Sequence, residues 1–135
     1  MKVAQDIDFH DDDFIIENNK VRTRKIGKSF KLDFILGKDV ITTNNDRDYD
    51  KQERRQLTVL DGIGKIHLDF KMVKDSGNLR PLFRLPANAP RNLELIETQV
   101  WDGASVWLNA GNNVVYGSGL REGQRYILDL IGFFS

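Results

Sequence analysis

Apolar residues along this chain come in short runs broken by turn signals. From Pro81 to Ser135 the breaks fall at Asp102-Gly103, Gly111-Asn112-Asn113 and Arg121-Glu122-Gly123, a spacing of roughly ten residues that predicts an antiparallel meander. Loop parity decides which face each strand offers, because a shift of one residue turns every side chain over. A three-residue loop over Asp102 to Ala104 pairs Val106 with Val100 and Leu108 with Thr98, and sets Ala110 beside Ile96. A turn at Arg121-Glu122-Gly123, closed by a glycine at positive φ, pairs Ser118 with Tyr126, Tyr116 with Leu128 and Val114 with Leu130,. With a three-residue loop at Gly111 to Asn113, one face then collects Ile96, Val100, Val106, Leu108, Ala110, Val114, Tyr116, Leu128 and Leu130, which is the expected core.

The other face of this meander carries Trp107, Val115, Ile127, Ile131 and Phe133, with Trp101 by the turn. A sheet apolar on both faces must be covered twice. The last strand, Tyr126 to Phe134, is nearly continuous in hydrophobes, as expected of a central strand between two layers or of one that meets a partner subunit,. Trp101, Trp107, Ile127, Ile131 and Phe133 are therefore the candidate ligand or subunit-interface residues. The competing expectation is that Trp107 fills the sandwich beneath the N-terminal strands.

Earlier in the chain, Asn18-Asn19 reads as a turn that sets Ile16 beside Val21, Glu17 by Lys20, Asp13 by Arg24 and Asp12 by Lys25,. Phe30, Leu32, Phe34 and Leu36 alternate as the inward face of one strand ending at Gly37,. Thr42 to Gln56 is too polar to bury and reads as a surface loop,. Asp61-Gly62 gives the strongest hairpin signal: a two-residue turn pairs Leu57 with Ile66 and Val59 with Gly64, and points Lys65, His67, Asp69 and Lys71 to water,. Lys74 to Asn78 is a turn. Residues 79–90, with Pro81, Pro86 and Pro90, should cross between sheets, since proline-rich chain cannot pair on both edges,. The fold class is all-β, an antiparallel β-sandwich or jelly-roll-like domain with little or no helix. It is one domain over 1–135: an N-terminal hairpin (1–28), a first set of strands (29–78), the proline-rich crossover (79–90) and the C-terminal meander (91–135).

At 135 residues the chain can bury roughly two thirds of its unfolded surface,. Its 20 basic and 20 acidic residues cancel, which removes the electrostatic reason to expect nucleic acid or an anionic membrane as partner,. With no Cys, disulfides, thiolate metal sites and a Cys nucleophile are excluded,. The start, Met1-Lys2-Val3-Ala4-Gln5-Asp6, has no apolar stretch after the charge, so the expectation is a product made without a signal peptide,.

The chemistry-bearing residues are sparse. Asp6, Asp8, His10 and Asp12 share one face of an extended segment, but a flat row of carboxylates cannot wrap a hard cation,. Asp46, Asp48 and Asp50 resemble the start of an EF-hand loop, yet Lys51 stands where its glycine belongs and Leu57 where its closing glutamate belongs,. His67 belongs to a polar strand face, and no nucleophile or cofactor motif is present,. The expectation is a non-catalytic protein with no metal and no cofactor.

The strand Ile66 to Met72, the linker at Leu85-Pro86, the asparagine-rich turn in Trp107-Leu108-Asn109-Ala110-Gly111-Asn112-Asn113-Val114, then Gly119-Leu120, Gly123 and Tyr126 to Phe134 follow in a characteristic order. This C-terminal half resembles the receptor-binding heads of bacteriophage tail fibres and baseplate proteins. The resemblance implies a phage or prophage tail-tip protein, located in the virion and made in the bacterial cytoplasm. It implies assembly as a homotrimer with other virion tail proteins, and binding of cell-wall saccharides or teichoic acids. The alternative is a cellular, non-catalytic β-sandwich module that binds a ligand or protein.

Overall fold

The computed structural model of the protein describes residues 14–17, 20–23, 27–38, 40–42 and 52–135. An antiparallel hairpin, β1 (Phe14–Glu17) and β2 (Lys20–Thr23), is a sheet by itself. Ile16 lies opposite Val21 and Glu17 opposite Lys20, as the turn reading predicts. The expected pairs of Asp13 with Arg24 and Asp12 with Lys25 lie outside the described residues, as do Asp6 to Asp12, His10 and Asp46 to Asp50.

The remaining strands form a β-sandwich. The first sheet has β3 (Lys28–Lys31), β6 (Arg55–Leu60), β7 (Ile63–Met72) and β12 (Arg125–Phe133) in the order β12-β7-β6-β3, with β5 (Ile41–Thr42) also paired to β7. The second has β4 (Asp33–Phe34), β8 (Arg80–Arg84), β9 (Ile96–Gln99), β10 (Ser105–Leu108) and β11 (Val114–Ser118) in the order β4-β8-β11-β10-β9. Among the described residues every strand pairing is antiparallel. Among the described residues the helical content is two 3-10 turns, Gln52–Arg54 and Trp101–Gly103.

The β6–β7 hairpin forms as its sequence dictates. Asp61 (φ 52°) and Gly62 (φ 79°) both take the left-handed conformation that a two-residue turn of matching twist requires,. Leu57 accordingly faces Ile66, and Val59 faces Gly64. Ile66, Leu68, Phe70 and Met72 of β7 and Tyr126, Leu128 and Leu130 of β12 line the core from the first sheet, against Leu82, Phe83, Val106, Leu108 and Val115 from the second. The rings of Phe70 and Phe83 meet edge to face across the layers, with centroids 5.3 Å apart,. Leu82 and Phe83 are consecutive yet both fully buried, because the β8–β11 ladder shifts register between Val115 and Tyr116,.

Several expectations from sequence are corrected. Phe30 to Leu36 is not one strand: it breaks at buried Leu32, so β3 stays in the first sheet and β4 joins the second. The corner is held by Leu32 N donating to Arg55 O (3.0 Å) and Arg55 Nε donating back to Leu32 O (2.8 Å). The proline segment does not merely cross. Its Arg80–Arg84 part lies between β4 and β11, and this is tolerated because β4 stops opposite Phe83 and Arg84, short of Pro81.

The meander also differs. At the first turn Val106 faces Thr98 and Leu108 faces Ile96, one pair away from the expected register but of the same parity, because the turn is Trp101–Gly103 with Val100 N bonded to Ala104 O (2.9 Å). The next loop has four residues, Ala110 to Asn113, since Asn109 N bonds Val114 O. This even loop reverses the parity. Val115 and Gly117 go into the core, Val114 and Tyr116 to the outer face, and Ala110 is exposed.

The largest departure concerns β12. The turn at Arg121 to Gly123 does form, with Gln124 N on Arg121 O and Gly123 at φ 81°, but it does not return the chain to β11. Segment 119–124 pairs instead with 72–77, through Gly119 N to Gly77 O, Ser76 N to Leu120 O and Gly123 N to Met72 O, which hands the chain to the first sheet. There β12 is an edge strand rather than a central one. It alternates strictly, with Tyr126, Leu128, Leu130 and Gly132 buried and the intervening residues exposed.

Candidate functional site

The five candidate residues do not share a face, contrary to expectation. Trp107 lies half-buried on the outer face of the second sheet, where its ring stacks on Tyr116 with centroids 5.8 Å apart and planes 17° apart. It does not fill the sandwich. Trp101 sits in the 3-10 turn at the rim, about half exposed, and stacks on the buried ring of Tyr126 at 5.2 Å. Ile127, Ile131 and Phe133 project from the outer face of β12, on the first sheet, and are 57%, 62% and 56% exposed.

The three β12 residues are joined by others that were not singled out. Phe133 pairs with Ile63 across the β12–β7 ladder, and Ile63 pairs with Leu60 across the β7–β6 turn; both are large exposed hydrophobics. Leu60, Ile63, Phe133 and Ile131 thus form an apolar row over three neighbouring strands at one end of the sheet. Beside it, the free edge of β12 has no backbone partner among the described residues until Leu93 N reaches Phe133 O and Asn92 bridges Phe134. Open edges and contiguous exposed apolar rows are what association surfaces use.

Further along the same face the surface becomes ionic. His67 Nδ1 and Asp129 Oδ1 are 2.9 Å apart on paired positions. Asp69 was expected to point to water, but its side chain is only 4% exposed, because two guanidinium groups close over it. Arg125 binds it through both arms, Nε to Oδ1 at 2.8 Å and Nη2 to Oδ2 at 2.7 Å, and Arg54 donates to Oδ2 from the 3-10 turn before β6. The hydrogen bonds from Arg125 outweigh the desolvation of the carboxylate and, with those from Arg54, hold the Asp69 carboxyl below its ordinary range,. Alternation hid this cluster: Arg54 arrives from a polar stretch, and the pairing of Arg125 near Asp69 depends on β12 reaching β7.

A polar cleft of about 500 Å³ opens at the end of the second sheet, between the 84–91 segment and the β10–β11 loop, lined by Asp33, Arg84, Arg91, Gly111 and Asn112 among others. A more apolar cleft of about 470 Å³ lies against the same 84–91 segment, lined by Phe30, Val59, Leu60, Ala89 and Pro90 among others.

Among the described residues the hydrogen-bond partner of the His67 ring is Asp129, which orients it. No group of three or more His, Asp or Glu residues converges as a metal site among the described residues, and none of their helices is long and apolar enough to cross a membrane. By fold this is an antiparallel β-sandwich protein. The chain matches no family model, no curated protein and no solved structure.

Proposed function

We propose that the chain is a non-catalytic structural component of a bacteriophage or prophage tail tip, of baseplate or fibre type, that assembles as a homotrimer beside other virion proteins and contributes to contact with host-surface saccharide. The observation that carries this reading is the apolar row of Leu60, Ile63, Ile131 and Phe133 next to the open edge of β12. A lone domain gains nothing from displaying four large hydrophobic side chains on adjacent strands, whereas a subunit contact buries them at roughly 25 cal/mol per Å². The stacked Trp107 and Tyr116 on the opposite sheet support the saccharide part, since an aromatic face suits the apolar face of a sugar ring,.

Sedimentation of the full chain tests the assembly. The wild-type protein is expected as a trimer, and Ile131→Lys combined with Phe133→Lys as a monomer with nearly unchanged melting, because exposed substitutions usually shift stability by no more than about 0.5 kcal/mol. A wild-type chain monomeric at every concentration would overturn the assembly reading.

A further inference from the structure

The polar cleft at the end of the second sheet has the makings of a ligand site that the assembly surface does not use. Its walls are fixed by an asparagine network. Asn92, 3% exposed, accepts from Gly111 N through Oδ1 (3.3 Å) and donates to Glu94 O through Nδ2 (3.0 Å). Asn113, held at φ 58°, accepts from Asn92 N through Oδ1 (3.1 Å) and donates to Pro90 O through Nδ2 (3.1 Å), while its carbonyl takes Leu85 N (2.9 Å). These bonds lock the 84–91 segment to the β10–β11 loop. A left-handed conformation at a non-glycine residue is unfavourable, and here the side-chain bonds over-determine it.

Onto this frame the fold sets two cations. Arg54, Arg55, Arg80 and Arg125 each donate to a group of the chain. Arg84 and Arg91 both line the cleft and are exposed, and their side chains have no hydrogen-bond or ion-pair partner among the described residues. Asp33 is the cross-strand neighbour of Arg84 and lines the same cleft, yet makes no ion pair with it. Two guanidinium groups left open at the mouth of a pre-formed polar cleft are suited to a planar or tetrahedral oxyanion, which they can bind by charge-assisted bonds without rearranging the walls.

We infer that this cleft is an anion-binding site in which Arg84 and Arg91 hold one phosphate or carboxylate group of a small ligand. Asp33 limits the charge the site accepts: a second negative group would be brought against its carboxylate. The site shares no residue with the Leu60–Phe133 row, so its failure leaves the assembly reading untouched.

The test is a titration of the isotope-labelled full chain with inorganic phosphate and, separately, acetate, with chloride as ionic-strength control, followed by NMR at the Gly111, Asn112 and Asn113 amides and the Arg84 and Arg91 Nε–H groups. Saturable shifts confined to these positions, at concentrations where chloride has no effect, are expected. Saturation by phosphate alone would indicate a phosphate-bearing source, and by acetate alone a carboxylate. Arg84→Gln and Arg91→Gln should each weaken binding about tenfold, the loss of one charge-assisted contact. Asp33→Asn should tighten it, an opposite sign that general loss of fold cannot produce. Shifts that track chloride, that spread over the whole cationic surface, or that persist when both arginines are replaced would overturn the site.

Discussion

Asp69 shows how a residue placed to face water can end up buried. It sits on the outer face of β7, and what removes it from solvent is the reach of Arg54 and Arg125 over it. Asp69→Asn keeps the shape but gives up the charge that both arginines bind. Chemical unfolding should show a loss of about 1.5–3 kcal/mol, the range for hydrogen bonds to charged groups. The pH dependence has a definite sign. Because the folded carboxyl titrates below its unfolded value of 3.8, its contribution is complete above that pH and is lost as pH falls through the lower, folded value,. Wild-type stability should therefore decline more steeply than that of Asp69→Asn as the pH drops below about 4. Parallel curves in that window would refute the paired carboxylate.

At the scale of elements, the end of β12 is a clasp. Phe134, 3% exposed, lies over Gly64, where a Cβ would strike its ring; Phe134 N donates to Gly62 O, and Ser135 exchanges backbone bonds with Arg91. Deleting Phe133 to Ser135 should remove this packing along with the bonds that tie the 91–93 segment to the first sheet. Phe134→Ala alone should lower stability by about 3–5 kcal/mol, as for other buried phenylalanines, while Phe133→Ala, on the exposed side, should change it little. Thermal melts of the two variants decide this, and equal losses would contradict the strict alternation of β12. The truncation is expected to be damaging because of one buried ring and its backbone bonds, although β12 is an edge strand.

For the whole molecule, the decisive contact is the one between segments 72–77 and 119–124, which moves the chain from the second sheet to the first. Ser76 is its pin: buried, with Oγ accepting Leu120 N at 2.8 Å. Ser76→Ala leaves that amide without its partner and should destabilise by about 1–3 kcal/mol, with hydrogen exchange accelerating first at Leu120 and neighbouring amides. Unchanged protection there would show that the crossing does not depend on this pin. By itself the sequence determined the all-β class; the β6–β7 register, because Asp61-Gly62 and the alternation around it leave one parity that buries the apolar set; and the β1–β2 register, read from Asn18-Asn19 as a two-residue turn,. It also determined that Ile127, Ile131 and Phe133 share one side of a strand. Tertiary structure alone decided which strands became neighbours. The same turn at Arg121 to Gly123 is compatible with a return to β11 or a transfer to β7, and only the pairing of 119–124 with 72–77 selects the second. That choice put Trp107 and Ile127 on different sheets and brought Arg125 onto Asp69. The cleft was likewise out of reach of local pattern, since Asp33, Arg84, Arg91 and Asn112 come from three separate segments whose meeting depends on β4 and β11 flanking β8. Periodicity reports the face of a strand, while the partner across it is set by long-range backbone pairing that no short window of sequence contains.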